Sequence, residues 1–198
     1  MNYSIVPISQ LSREQVTELA TLHHRVLHTL LTDLGLPIVE KYYQIACADS
    51  SVLGFCALSE SGSPLGWSIG SAKPDQLNRR LREMWLWFVL QMLRTFVTRP
   101  WVMRQLLVSV RTTSVPLPAG VFEWLYLGVD ASARGQGLGY ELMNDIVQAA
   151  RDRNYKAVLL SVEVGNKTAI ALYTRAGFKI INTFIEGGFH RHRMELTF

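Results

Sequence analysis

The sequence predicts one domain of the α+β or α/β class with a helical insertion after its third strand. Three observations carry this. Strand-like alternation and helix-like spacing of apolar residues follow one another along the chain. No internal repeat, low-complexity stretch or linker divides it. Its 198 residues, 48% hydrophobic and 18% charged, suffice for one sizeable core.

Tyr3 to Ile8 alternates like a short strand. Ser12 followed by Gln15 has the form of a capping box. Val16, Leu19, Ala20, Leu22, Val26, Leu27 and Leu30 then recur at helical spacing. Gly35 and Pro37 break the pattern, and Pro37 suits the opening of a second helix through Ala46. Val52–Leu58 and Leu65–Gly70, joined by a Ser-Gly-Ser-Pro turn at 61–64, read as a hairpin. Residues 73–111 read as one or two helices with an apolar stripe from Leu77 through Phe96, broken at Pro100, and 115–120 as a loop. A strand from Val121 to Val129 follows, then a turn at 130–137 and a helix from Leu138 to Arg151. The chain ends with a strand Ala157–Val162, a helix Lys167–Ala176 stopped by Gly177, and strands near Lys179–Ile185 and Arg193–Phe198.

Bulk chemistry excludes several classes. A net charge of +4 is too mild to argue for nucleic acid as partner. Cys47 and Cys56 form neither a disulfide framework nor a Cys-x-x-Cys metal pattern, so a reduced, cytoplasmic setting is expected. The N-terminus has no basic start before an apolar run, hence no visible secretory signal. The longest apolar stretch, Met84 to Leu93, is too short to span a bilayer. His24 and His28 lie one helical turn apart, but no glutamate follows His24 and no third ligand is evident, so no metal is expected. No nucleophile elbow or Ser-His-Asp set supports a covalent acyl-enzyme.

The strongest functional signal is Arg134-Gly135-Gln136-Gly137-Leu138-Gly139, placed between a strand and an amphipathic helix. Its glycines allow a tight turn that presents successive N–H groups at a helix N-terminus, where a pyrophosphate is favoured. The spacing is that of neither a Rossmann turn nor a P-loop.

Here the chain resembles the GNAT superfamily of N-acetyltransferases. Arg134-x-x-Gly137-x-Gly139 fits that family's Gln/Arg-x-x-Gly-x-Gly/Ala signature. Leu160-Ser-Val-Glu-Val-Gly-Asn166 leading to Tyr173-Thr-Arg-Ala-Gly177-Phe178 fits its strand, Asn and helix ending in Tyr-x-x-x-Gly-Phe. The detailed resemblance covers roughly residues 121–180.

The resemblance implies an α/β/α arrangement around a mixed, mostly antiparallel sheet. Its fourth and fifth strands splay to admit acetyl-CoA, and a helical insertion lies between the third and fourth. Backbone near Leu127 and Val129 would pair with the pantetheine, and an N–H there would polarise the thioester carbonyl. The amides of 134–139 would hold the pyrophosphate, with Arg134 reaching a phosphate or offering only its backbone N–H. Asn166 would cap the 167–176 helix, contact the cofactor arm, or both.

N-acetylation of an amine needs a base, because the ammonium titrates near ~10.4 and only the neutral amine attacks. Glu123 is the candidate: period-two alternation puts it on one face with Leu125, Leu127 and Val129, and a glutamate at this offset serves as base in family members resembling histone acetyltransferases. The competing reading is an ion-paired strand carboxylate. Tyr173, in the resemblance, lies beside the CoA sulfur as general acid; packing within the stripe of Ala169, Leu172 and Ala176 explains it equally.

The acceptor would be an amine, small molecule or peptide. Residues 73–111 carry a net +6, against −2 for the rest, and three of the five tryptophans. They fit a packed helix, a membrane-surface helix, or a lid whose Arg79, Arg80 and Arg82 attract an acceptor bearing an anionic group. His190 and His192 share one strand face and are further candidates for acceptor contact. A CoA-binding module without turnover, or a membrane-surface interaction protein working through residues 73–111, is the alternative function, and the oligomeric state is left open.

Overall fold

The computed structural model of the chain describes residues 2–83, Gln91, 117–186 and 189–198. Seven strands form one sheet: β1 (Tyr3–Pro7), β2 (Val52–Ser59), β3 (Pro64–Ser71), β4 (Val121–Val129), β5 (Ala157–Glu163), β6 (Lys179–Glu186) and β7 (Phe189–Thr197). Their spatial order is β1-β2-β3-β4-β5-β7-β6. Every neighbouring pair is antiparallel except β4 and β5, which run parallel. The expected class and the mixed, mostly antiparallel sheet are therefore present.

Helices cover both faces. On one lie α1 (Arg13–Val26), the single turn α2 (Leu30–Asp33), α3 (Leu36–Ala48) and α4 (Pro74–Glu83). On the other lie α5 (Leu138–Asp152) and α6 (Lys167–Arg175). The first face is built on Cys56, Trp67 and Ile69, which meet Leu19, Val39 and Tyr43. The second is built on Phe122, Trp124, Leu160 and Met194, which meet Met143, Ile146 and Tyr173. Between these layers β3 is buried along its whole length. Each fully buried large apolar side chain contributes about 1.5–3 kcal/mol, so the two layers dominate stability.

Local chemistry sets the boundaries. The capping box at α1 is closed in both directions: Gln15 N–H donates to Ser12 Oγ at 3.2 Å, and Ser12 N–H to Gln15 Oε1 at 2.9 Å. Gln15 Nε2 also donates to Gly62 O at 3.1 Å, tying α1 to the β2–β3 turn. Pro37 lies in the first turn of α3, where its missing N–H costs nothing. Gly177 ends α6 with φ +97°, a conformation that favours glycine.

Two differences from the sequence reading concern detail. The turn α2 was not expected; Thr29 caps it, accepting from Thr32 N at 3.2 Å. β7 begins at Phe189 rather than near Arg193. Of the insertion, only Lys73, α4 and Gln91 are described. The rest of the apolar stripe and Trp85, Trp87, Trp101 and Pro100 lie outside the described residues, as does the loop before Leu117. Among the described residues no helix is long and apolar enough to cross a membrane.

His23, a residue that carried no expectation, is fully buried on the α1 face of the sheet. Its Nδ1 lies 2.7 Å from Tyr43 Oη, and its ring meets those of Tyr43, Trp67 and Tyr126. Burial, aided by the neighbouring His24, lowers its pKa from 6.5 to about 3, so it is neutral in the fold. An unfolded chain binds that proton below pH 6.5, so stability falls as the pH falls toward 3. Chemical denaturation between about pH 7 and about pH 4.5 is expected to show this loss, at up to about 1.4 kcal/mol per pH unit. His23→Gln should flatten that component; an unchanged slope in the variant would assign it to other groups.

Candidate active site

The glycine turn connects β4 to α5 through a short 3-10 turn at Ala131–Ala133, capped by Asp130, which accepts from Ser132 N at 2.9 Å. Arg25 at the end of α1 pairs with Asp130, fixing this corner against the opposite helical layer. Gly135 and Gly137 have φ of +75° and +86°, and a Cβ at either would meet nothing within 4 Å. The chain therefore uses glycine here for backbone conformation and leaves the space above the turn open. Tyr140 and Glu141 donate to Gly137 O at 2.8 and 3.1 Å, closing the first helical turn. The amides preceding them point out along the axis without an intrahelical acceptor, beside the positive end of a 15-residue helix. This is the geometry a pyrophosphate fits.

Side chains at the turn divide. Leu138 is buried against Ala57, Leu65 and Leu142 and anchors the helix start. Gln136 Nε2 donates to Ser132 O at 3.2 Å. Arg134 Nε donates to Val129 O at 3.1 Å, so its guanidinium folds back on the end of β4 and braces the turn. Asn166 is the cap of α6, its Oδ1 accepting from Ala169 N at 3.1 Å.

The parallel ladder between β4 and β5 pairs Val121 with Ala157 through Trp124 with Leu160, and then stops. β4 continues to pair with β3 as far as Val129, and β5 with β7 as far as Glu163. The two strands therefore part beyond Trp124 and Leu160, which is the expected splay, with Leu127 and Val129 on its rim.

At the parting point β4 carries a bulge. Ile69 pairs with Tyr126 but Gly70 with Trp124, so Leu125 is an extra residue. Trp124 Nε1 donates to Tyr126 O at 3.2 Å across the bulge. Leu125 and Tyr126 consequently both pack toward α1 and α3. This corrects the expectation that Glu123 shares a face with Leu127 and Val129. Before the bulge Phe122 and Trp124 face α5; after it Leu127 and Val129 do. Glu123 alternates with Phe122 and Trp124, so it lies on the opposite face, toward α1 and α3. An inserted residue reverses the period-two rule that the sequence reading applied.

On that face Glu123 is ion-paired. Arg193 of β7 donates through Nη1 to Glu123 Oε1 at 2.5 Å and to Ser161 Oγ of β5 at 2.9 Å. Both charged side chains are about one-fifth exposed. Tyr42 of α3 approaches from the other side: burial raises its phenol well above the ordinary value, with Tyr126 and the Glu123 charge adding to the effect. Arg193 and Ser161 were not singled out in the sequence. The alternation of Arg191, Arg193 and Glu195 along one strand was the available signal.

Tyr173 lies on the α5 and α6 side, 9% exposed, its ring 5.3 Å from that of Trp124 and 5.9 Å from that of Phe178. Burial pushes its pKa up to about 12, so it carries its proton at neutral pH. The packing reading of Tyr173 is met, and its ring neighbour Trp124 is the residue at which the strands part.

Other candidates fall elsewhere. Arg80 pairs with Asp49 at 3.0 Å, and Arg79 with Glu83 along α4 at 3.4 Å. Leu81 packs on Leu34 and Ile38, so the described part of the insertion is a packed helix. His192 alternates with Met194 onto the α5 and α6 side and meets Thr183 Oγ1 at 2.8 Å, while Arg191 and Arg193 take the other face.

The GNAT family acetyltransferase model matches residues 99–178. A mouse protein described as probable N-acetyltransferase family 8 member 5 is 34% identical over 71 residues, 36% of this chain and 31% of its own length. Mycothiol acetyltransferase of Saccharomonospora viridis is 38% identical over 66 residues, 33% of this chain and 22% of its own. The chain thus spans under a third of each of these two relatives. Among solved structures, PaiA N-acetyltransferase of Thermoplasma acidophilum in complex with coenzyme A superposes with a TM-score of 0.60 at 12% identity, covering all of both chains. Over residues 99–178 the chain thus resembles the GNAT family, and its fold is shared with solved N-acetyltransferase structures.

The turn generates a paired prediction. Gly137→Ala forces a Cβ into a left-handed conformation and should cost about 1–2 kcal/mol of unfolding free energy. Gly139→Ala has ordinary backbone and only a 3.6 Å contact with Val129 Cγ2, so it should be neutral or stabilise slightly. Urea denaturation of the two variants measures the contrast, and equal values would contradict it.

Proposed function

We propose that this chain is an acetyl-CoA-dependent N-acyltransferase that acetylates an amine by direct attack within a ternary complex. The observation that carries the proposal is the parting of β4 and β5 beyond Trp124, one residue after Glu123, with the glycine turn on one face of the sheet and the carboxylate on the other. Donor and acceptor can then approach the same point from opposite sides of the sheet.

In this reading the amides of 135–139 hold the pyrophosphate and the unpaired β4 edge at Leu127–Val129 takes the pantetheine as an added strand. The amine nitrogen attacks the thioester carbonyl carbon, forming the C–N bond. Glu123 accepts the amine proton, directly or through water. A β4 amide stabilises the developing oxyanion. The C–S bond then breaks and the sulfur leaves with its electron pair. Tyr173 donates its proton to that sulfur and later recovers one from solvent. The high pKa of Tyr173 suits this role only because the same apolar surroundings raise the basicity of the expelled thiolate. The products are the amide and free CoA thiol.

Acetyl-CoA should raise the melting temperature by mass action, and Gly137→Glu should abolish the shift. With an acceptor found by free-thiol release, Glu123→Gln should lower kcat by roughly 10²–10⁴-fold, with less loss at high pH. Tyr173→Phe should keep the acetyl-CoA shift and slow turnover. Wild-type rates in both variants would remove these roles, and no thermal shift at millimolar acetyl-CoA would remove the function.

A further inference from the structure

We propose that Glu123 and Arg193 together form the acceptor site for a zwitterion: an amine carrying a carboxylate a few bonds away, as in an amino acid. This deepens the acyltransferase reading above and rests on it.

The pair lies on the face opposite the glycine turn, at the point where β4 and β5 part. It balances one negative against one positive charge, each mostly buried, with Arg191 and Glu195 next along the same face of β7. An acceptor with a single positive charge would draw Glu123 to itself and leave Arg193 without its counterion, which is costly at this burial. A zwitterion replaces both halves at once, ammonium to Glu123 and carboxylate to Arg193. The site stays neutral and Glu123 becomes available to take the amine proton.

Arg193 is arranged for this exchange. Its contacts to Glu123 and Ser161 both use Nη1. The Nε–Nη2 edge, the geometry that grips a carboxylate bidentately, is not used by either contact. Ser161 Oγ keeps the guanidinium placed when Glu123 turns away. By contrast, Arg80 is committed to Asp49 and Arg79 to Glu83, so the carboxylate receptor falls on β7 and not on α4.

The test is a matched panel: α-amino acids of varied side chain and β-alanine, each beside its carboxamide, with spermidine as a cationic control. Free-thiol release gives kcat/KM. The amide's amine loses its proton more readily, so intrinsic reactivity favours the amide, and any preference for the acid has to come from binding. Wild type is expected to prefer the acid by about 10–100-fold, the range for a charge-assisted hydrogen bond. Arg193→Gln should slow both members of a pair through Glu123 yet bring the acid-to-amide ratio down to one or below. Arg193→Lys should restore part of the preference and guards against a folding defect in the glutamine variant. A purely structural pair would leave the ratio unmoved, and a wild-type ratio of one or below overturns the proposal. If acetyl-CoA raises the melting temperature but only spermidine or the carboxamides are acetylated, the zwitterion site is wrong and the acyltransferase reading stands. If acetyl-CoA neither binds nor is turned over, both fail.

Discussion

The arrangement depends on one constraint: a parallel strand pair that holds for four residues and then lets go. β5 remains bonded to β7, and β4 to β3, so the sheet opens into two halves hinged at Trp124 and Leu160. Exposed strand edges are normally a hazard that proteins cover or blunt. Here the edge is internal and faces another edge too far away to bond. It is thereby kept from other chains while its backbone groups remain available to an extended ligand. The bulge at Leu125 sits where the ladder ends, stitched by the Trp124 indole to the carbonyl of Tyr126. Gly128, further along the same strand, has no room for a side chain, since a Cβ would come 2.3 Å from the Trp67 ring. The opening is therefore specified by packing on both sides of the sheet, and a mutation in the core would reach it.

The same bulge separates chemistries. Without it, Glu123 would alternate onto the face of Leu127 and Val129, beside α5 and the glycine turn. A carboxylate there would lie beside the positive end of α5. With the extra residue, the negative group lies across the sheet from the glycine turn, and Arg193, Ser161 and Tyr42 gather around it instead. One inserted residue thus puts the glycine turn on one face and the Glu123 carboxylate on the other.

How much of this was legible in the sequence follows from the range of each interaction. The capping box at Ser12, the hairpin at 52–71, the glycine turn and the Gly177 stop are local, and each was read within a residue or two. Asn166 as a helix cap was read correctly for the same reason. The face of Glu123 was misread because a bulge leaves no mark in a run of Glu-Trp-Leu-Tyr-Leu that alternates nowhere clearly. Its partner Arg193 lies 70 residues away, and no spacing rule connects them. His24 and His28 attracted notice for their spacing, whereas His23, the buried histidine, differs from them only in where α1 turns it. The family resemblance supplied the splay, which periodicity could not.

The charge asymmetry of the chain teaches a related lesson. A net +6 over residues 73–111 made the arginines of α4 the natural candidates for an anionic acceptor. Net charge counts side chains without asking what each is already holding. Arg80 meets Asp49, which is 5% exposed and also accepts from Ser51 N at 2.9 Å, so this arginine neutralises a carboxylate that burial would otherwise penalise. Arg79 spends its contact on Glu83 within one helix. Arg193 also holds a carboxylate, but that carboxylate is the candidate base. The distinction lies in the partner's chemistry. Asp49 ties a helix to the sheet and gains nothing by release. In the proposed reaction Glu123 has to let go of Arg193 before it can take a proton from an amine, and an acceptor that supplied its own carboxylate would leave neither charge stranded.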